Sequence, residues 1–253
     1  MLIDTPLPVR TLCLPRRGNT LQESQDAWAR SRGPRLHPPE RGRFAIADGA
    51  TESAHSGLWA RLLVEEFVHA SDVYLDWKSW LPPLQERWEG VVQLARDHSV
   101  AQDWFVEAHE RSGAFATFLG LVVEEERWHA LAVGDSCLVH LRAGHLVQSF
   151  PLGRASDFNS TPALVGSRLA AEEIPVKQGM WREARWRAGD QLWLMTDALA
   201  RWALTEEEHR RQPWRVLGHL LTRPDAAFAT WVERLRGEGT LRDDDVTLVA
   251  VSL

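Results

Sequence analysis

The stretch AFATFLGLVVEEERWHALAVGDSCLVHLRAGHLVQSF, Ala114 to Phe150, decides the fold. It holds apolar runs parted by EEER, GDS and RAGH, breaks short enough for antiparallel connections, and so predicts a meander of strands. Upstream, PVRTLCLP (8–15) reads as a strand that breaks at RRGNT, SRGPRLHPPERG (31–42) as an exposed loop, and RFAIA (43–47) as a strand. Ser56 then caps a helix whose Leu58, Trp59, Leu62, Leu63, Val64, Phe67 and Val68 recur at spacings of three and four. A second helix over 82–98 carries Leu84, Trp88, Val91 and Ala95 on one face, and a third covers 100–111. Downstream, 150–180 is rich in turn formers and reads as a flap. Strand signals return in REARWRAGDQLWLMT, helices follow near 198–204, 206–222 and 225–236, and DVTLVAVSL closes as a strand. Without an internal repeat or a linker, residues 1–253 read as one α+β domain with layers around one core.

The 253 residues are 44% hydrophobic and 25% charged, an ordinary globular composition. A net charge of −6 with short, interrupted basic clusters argues against nucleic-acid binding. No run of about 18 apolar residues offers a membrane span. The start, MLIDTPLPVR, lacks the charged and apolar segments of a signal peptide, and Cys13 and Cys137 make no disulfide framework, so a cytoplasmic location is expected. The 13 Trp stand against a single Tyr; Trp59, Trp88, Trp104, Trp202 and Trp231 fall in helical stretches and read as core packing.

The acidic residues carry the chemical signal. Asp48 follows FAIA, Asp135 follows ALAVG, Asp197 follows QLWLMT, Asp244 precedes VTLVAVSL, and Asp26 sits in ESQDAW. A single Asp at a strand end is ordinarily a turn residue or a helix cap. Strands in facing sheets, however, can bring several such ends together, and the gathered carboxylates then repel one another until their pKa values rise or a cation offsets them. Oxygen ligands without Cys or His suit Mg²⁺ or Mn²⁺ rather than zinc. Two such ions about 3.5–4 Å apart can activate water for in-line displacement at phosphorus. The residues by themselves reach an acidic metal centre of unspecified chemistry.

The ordered set of motifs resembles the metal-dependent serine/threonine protein phosphatases of the PPM (type 2C) family, as a divergent, bacterial-like member. SQDA (24–27), ADGATES (47–53), GAFATFLGLVV with ALAVGDSCLVHL, GDQLWLMTDALARW and DDDVTLVAV match the family's motifs in order along nearly the whole chain. The resemblance implies a four-layer α-β-β-α sandwich of two packed, mainly antiparallel sheets. It also implies hydrolysis of phosphoserine or phosphothreonine in proteins by metal-activated water, without a phosphoenzyme. A phosphorylated protein would be the substrate, and a serine/threonine kinase the natural counterpart.

Carried over by position, Asp48 bridges two ions, the Gly49 carbonyl ligates one, Asp197 and Asp244 ligate the other, and Asp26 acts through water. Asp135 matches a weaker third-metal ligand. The chain departs from the family at several positions. The phosphate-binding Arg has no counterpart in place, since Arg16 and Arg17 are displaced. Ala50 stands where some members carry a general-acid His, and His55 reads as a surface residue at a helix start. Thr196-Asp197-Ala198 replaces Ser-Asp-Gly, Asp245 replaces Asn, and Arg201 takes the place of a third-metal carboxylate, which favours two ions of Mn²⁺ or Mg²⁺ over three.

Other chemistries fit less well. Cys137 and Arg142 enclose four residues where a cysteine phosphatase needs five, and Ser136 lacks the second glycine of a hydrolase elbow. His129, His140 and His145 follow no zinc spacing. The competing reading from another class is a catalytically weak pseudophosphatase that binds phosphoproteins or a partner. Retention of Asp48, Asp197 and Asp244 favours the enzyme, because a pure binding module has little need of such costly charges.

Overall fold

The computed structural model describes residues 7–31, 40–50, 55–70, 77–97, 113–168 and 179–253. The strands are β1 (Val9–Leu14), β2 (Asp26–Arg30), β3 (Glu40–Asp48), β4 (Phe115–Ala116), β5 (Phe118–Glu124), β6 (Arg127–Val133), β7 (Cys137–Arg142), β8 (His145–Phe150), β9 (Val165–Gly166), β10 (Met180–Arg185), β11 (Gln191–Met195) and β12 (Val246–Ser252). The helices are α1 (Ser56–His69), α2 (Trp77–Asp97), α3 (Asp197–Glu208), α4 (Pro213–Leu221) and α5 (Asp225–Gly237).

Two five-stranded sheets result, one ordered β1-β12-β11-β7-β8 and the other β10-β6-β5-β3-β2. The meander of 114–150 is shared between them: β5 and β6 lie in the second sheet, β7 and β8 in the first. Pairing within both sheets is antiparallel.

Continuous apolar runs make these strands because both of their faces are covered. Along β5, Leu119, Leu121 and Val123 enter the layer between the sheets, while Phe118 and Val122 turn to α1 and α2. Along β12, Val249 and Val251 face inward, while Val246, Leu248 and Ala250 meet the layer containing α3, α4 and α5. Three apolar layers therefore separate four layers of structure, the α-β-β-α sandwich that the resemblance implies. Gly120 lets α1 approach its sheet: a Cβ there would stand 2.6 Å from the ring of Phe67. Trp59 and Trp88 pack edge to face at 5.5 Å, and Trp202 and Trp231 at 4.8 Å, in agreement with the core reading. Trp104 lies outside the described residues.

Several boundaries differ from the sequence reading. β3 begins at Glu40, inside the expected loop. α2 begins at Trp77, with Pro82 and Pro83 inside it. His55, at φ 61°, is the N-cap of α1, so Ser56 is its first residue, buried with an unpartnered hydroxyl. The helix over 100–111 and the middle of the 150–180 segment, 169–178, lie outside the described residues; the rest of that segment carries a short 3₁₀ turn at Ala155–Asp157 and β9.

At the end of the first sheet where β7 finishes and β11 begins, a buried ion cluster ties the two strands. Asp190 accepts hydrogen bonds from Arg142 Nε (2.8 Å) and Nη2 (2.7 Å), and from the Arg187 N–H (2.8 Å). His140 Nε2 lies 2.8 Å from the same carboxylate, while the Trp128 indole N–H donates to His140 Nδ1 at 3.4 Å. The indole bond takes Nδ1 as its acceptor, so Nε2 carries the hydrogen that faces Asp190. The Arg142 guanidinium, helped by His140 and the Arg187 N–H, holds the Asp190 carboxyl well below the usual carboxylate range.

Asp190→Asn is expected to lower the unfolding free energy by about 2 kcal/mol at pH 7, less than the ~3–5 kcal/mol of a fully buried pair because Arg142 reaches solvent. Asp190 has a depressed folded pKa, so its stabilisation is full above the unfolded value near ~3.9 and is lost as pH falls through the folded one. Urea unfolding at pH 7 and at pH 3 should therefore show the gap between the variant and the natural protein narrowing in acid.

Candidate metal centre

The antiparallel register gathers the five acidic residues at one end of both sheets. Asp26 opens β2 and stands directly opposite Asp48 at the end of β3. Across β3 and β5, Asp48 is clamped by Thr117, whose N–H donates to the Asp48 carbonyl (2.8 Å) and whose hydroxyl oxygen accepts from the Asp48 N–H (3.1 Å). The pairing of Phe118 with Val133 then places Asp135 in the turn after β6, at the same end. In the other sheet, Met195 pairs with Cys137 and with Leu248, which brings Asp197 and Asp244 alongside.

Hydrogen bonds bind the two sheets at this seam. The Thr196 hydroxyl accepts from the Thr247 N–H (3.0 Å) and donates to Asp26 Oδ2 (3.0 Å) in the opposite sheet. Asp26 Oδ1 is buried and has no partner among the described residues. Asp245 accepts from the Arg16 N–H (2.8 Å) and the Gln25 N–H (2.7 Å), so it anchors the backbone around Asp26. Buried Arg236 donates to the Asp244 carbonyl (2.5 Å), to the Pro15 carbonyl (3.0 Å) and to Glu233 (2.6 Å), which fixes the loop that presents Asp244.

Crowding raises the acids. Burial, then Asp26, Asp197, Asp244 and Asp135, push Asp48 well above the usual carboxylate range. Burial leads for Asp26 as well, with Asp245 and Asp197 adding to it. Asp135 is pushed up to about 7, by burial and then by Asp197. Asp197 rises by burial and by Asp244, against the opposing pull of Arg242 and of Arg201. Arg242 sits between two of the acids, with Nη1 3.3 Å from Asp197 Oδ2 and Nη2 2.6 Å from Asp244 Oδ2.

Among the described residues, no group of three or more His, Cys, Asp or Glu side chains is poised to hold a metal ion as it stands. The donor set nonetheless fits a hard divalent cation. Its side-chain donors are all oxygens, Asp26 keeps an orphaned buried oxygen, and a guanidinium already stands as counter-charge between Asp197 and Asp244. Gly49 lies in the same cradle, where a Cβ would meet the Ser56 backbone at 2.7 Å.

The remaining sequence candidates take other parts. The Arg17 guanidinium is held by Glu233 at 2.8 Å, and the N–H of Arg16 serves Asp245. His55 caps α1, and the Ala50 N–H donates to the Phe115 carbonyl. Burial pushes the Cys137 thiol up, away from the thiolate form, and Arg142 is committed to Asp190, so a cysteine phosphatase is disfavoured by chemistry as well as by spacing. Sequence reasoning missed Thr117, Thr196, Arg236 and Arg242. Thr117 and Thr196 lie inside motifs already quoted, and Arg242 stands two residues before Asp244.

A sandwich of two antiparallel sheets with an acidic cluster at their shared end defines a recognisable class. The family model of protein phosphatase 2C matches residues 19–239, and the chain belongs to that family. No curated protein matches the chain in sequence. Among solved structures, the chain resembles the serine/threonine phosphatase Stp1 from Staphylococcus aureus at 12% identity and TM-score 0.60, covering 100% of this chain and 97% of that one. It is similar to the Mycobacterium tuberculosis serine/threonine phosphatase PstP at 20% identity and TM-score 0.53, with 97% and 98% covered. PppA of Pseudomonas aeruginosa, a regulatory component of its T6SS, matches at 18% identity and TM-score 0.54, with 98% of each chain covered. At these identities the likeness to the solved structures is one of fold.

Gly49→Ala tests how tightly the cradle is built. The added methyl has to displace the backbone at Ser56, so we expect a loss of about 1–3 kcal/mol, the usual cost of overpacking. In a chain of this length, thermal unfolding should then begin several degrees lower, at about 2–4 °C per kcal/mol.

Proposed function

We propose that the chain is a metal-dependent phosphatase that hydrolyses phosphoserine or phosphothreonine in proteins. The observation that carries this reading is the set of five carboxylates at one end of the two sheets, in a member of the protein phosphatase 2C family. A buried acidic cluster of this kind is costly to keep, and a bound divalent cation relieves the repulsion.

In this reading Asp48 and the Gly49 carbonyl would hold one Mn²⁺ or Mg²⁺ ion, and Asp197 and Asp244, with Asp48, would hold a second. Bound there, such ions supply Lewis-acid charge to water and to phosphoryl oxygens. The protein's own residues set the geometry. Thr117 fixes the backbone of Asp48, Arg236 fixes that of Asp244, and Thr196 holds one oxygen of Asp26, whose other oxygen has no partner among the described residues. Asp26 would accept a proton from water through that oxygen. Asp135 would be a weak third position, since the cation of Arg201, one helical turn beyond Asp197, opposes further positive charge. Residues 1–253 would act as one phosphatase domain, with 150–180 as a flap near the substrate and a serine/threonine kinase as the opposing enzyme. No helix among the described residues is long and apolar enough to cross a membrane.

Hydrolysis of p-nitrophenyl phosphate and of a phosphothreonine peptide, with Mn²⁺, with Mg²⁺ and with EDTA, tests this reading. Turnover should require the metal, and Asp48→Asn and Asp197→Asn should each reduce it at least about 10³-fold, a loss of ~4 kcal/mol in transition-state stabilisation. Far-UV circular dichroism should show both variants folded, because an amide in place of a repelled carboxylate relieves strain. Full activity in both variants would overturn the site assignment. Metal binding without turnover would instead favour the pseudophosphatase that binds phosphoproteins.

A further inference from the structure

Every carboxylate oxygen of Asp197 and Asp244 already has one partner. Asp197 Oδ1 accepts from the Ala198 N–H at 2.6 Å, and Asp244 Oδ1 accepts from the Asp245 N–H at 3.1 Å. The Oδ2 atoms, one on each, both face Arg242, at 3.3 and 2.6 Å. A cation ligated through the Oδ2 atoms would take the place of the guanidinium, and either ion draws on the same pair of negative charges, so the two compete.

The surroundings make that competition reversible. The Arg242 side chain is 63% exposed, whereas those of Asp197 and Asp244 are 14% exposed, so the guanidinium can swing into solvent while the acids cannot. Its backbone stays in place: Leu241 is buried, and the N–H groups of Thr240 and Leu241 both donate to the Leu235 carbonyl. Arg236 holds the Asp244 backbone separately. Only the side chain of Arg242 has to move.

We propose that Arg242 is a built-in competitor for the divalent cation, so that its departure from Asp197 and Asp244 sets the metal affinity of that half of the site. The proposal rests on the reading of these carboxylates as metal ligands. Without metal, the guanidinium is the counter-charge that keeps two repelling acids together; with metal, it has lost its place. The family resemblance supplies no such part, and the residue's only sequence mark is its position two places before Asp244.

Titration calorimetry with Mn²⁺ on the full chain tests the proposal directly. Arg242→Ala should bind Mn²⁺ at least tenfold more tightly than the natural protein. Arg242→Lys keeps the charge but loses the fork that spans both acids, and should fall between them. Arg201→Ala is the control, because Arg201 acts on Asp197 through space, and its removal should change the affinity less than threefold. Thermal unfolding adds a readout independent of activity: metal-free Arg242→Ala should melt below the natural protein, and saturating Mn²⁺ should raise its midpoint by more. Equal Mn²⁺ affinity in Arg242→Ala and the natural protein overturns the role of Arg242 alone. Equal gains in Arg242→Ala and Arg201→Ala also overturn it, since they would reveal a general field effect. No Mn²⁺ binding by any of these proteins overturns the metal reading of the site, and the proposal with it.

Discussion

Mutual repulsion among carboxylates that the strand register forces together is the constraint on which the rest of this end of the molecule depends. Asp26 and Asp48 cannot separate without breaking the β2–β3 pairing, and Asp197 and Asp244 are set by the registers of β11 and β12. Burial deepens the problem, since it penalises each charge and weakens the screening between them. The neighbouring groups read as responses to that constraint. Backbone N–H groups take one oxygen each of Asp197 and Asp244, a threonine hydroxyl takes one of Asp26, and Arg242 spans the remaining pair.

The two ends of the first sheet handle acidic charge in opposite ways. At the Asp190 end, one carboxylate receives Arg142, His140 and a backbone N–H, and its pKa falls. That end is complete within the chain and rigidly specified. At the other end acids outnumber the cations beside them, and their pKa values rise. Such an imbalance lowers the stability of the isolated fold, the usual exchange of stability for function.

The layered fold and the gathering of acids were legible because both depend on short-range signals repeated many times. Apolar runs of strand length, parted by turn formers, announced sheets covered on both faces, and β5, β6, β7 and β12 are buried in that way. An Asp at the end of each run then predicts a common edge once the strands pair antiparallel. Helix starts were less legible. Ser56 has the chemistry of a cap, yet the tight approach of Gly49 to the Ser56 backbone takes it into the helix and leaves His55 in the capping position. The parts of Arg236 and Arg242 could not be read at all, because each depends on how one loop folds back across residues distant in sequence. Arg16 and Arg17 illustrate the converse. They are the arginines nearest the early acidic motif in sequence, yet Glu233, more than two hundred residues away, holds the Arg17 guanidinium.

The Thr196 hydroxyl accepts the Thr247 N–H through one lone pair and turns its single hydrogen to Asp26 Oδ2. A proton on Oδ1, the oxygen that has no hydrogen-bond partner among the described residues, would leave that bond undisturbed, whereas one on Oδ2 would compete with it. A symmetric carboxyl group has in effect been given a handedness, with one oxygen tethered to the facing sheet and the other left without a partner among the described residues.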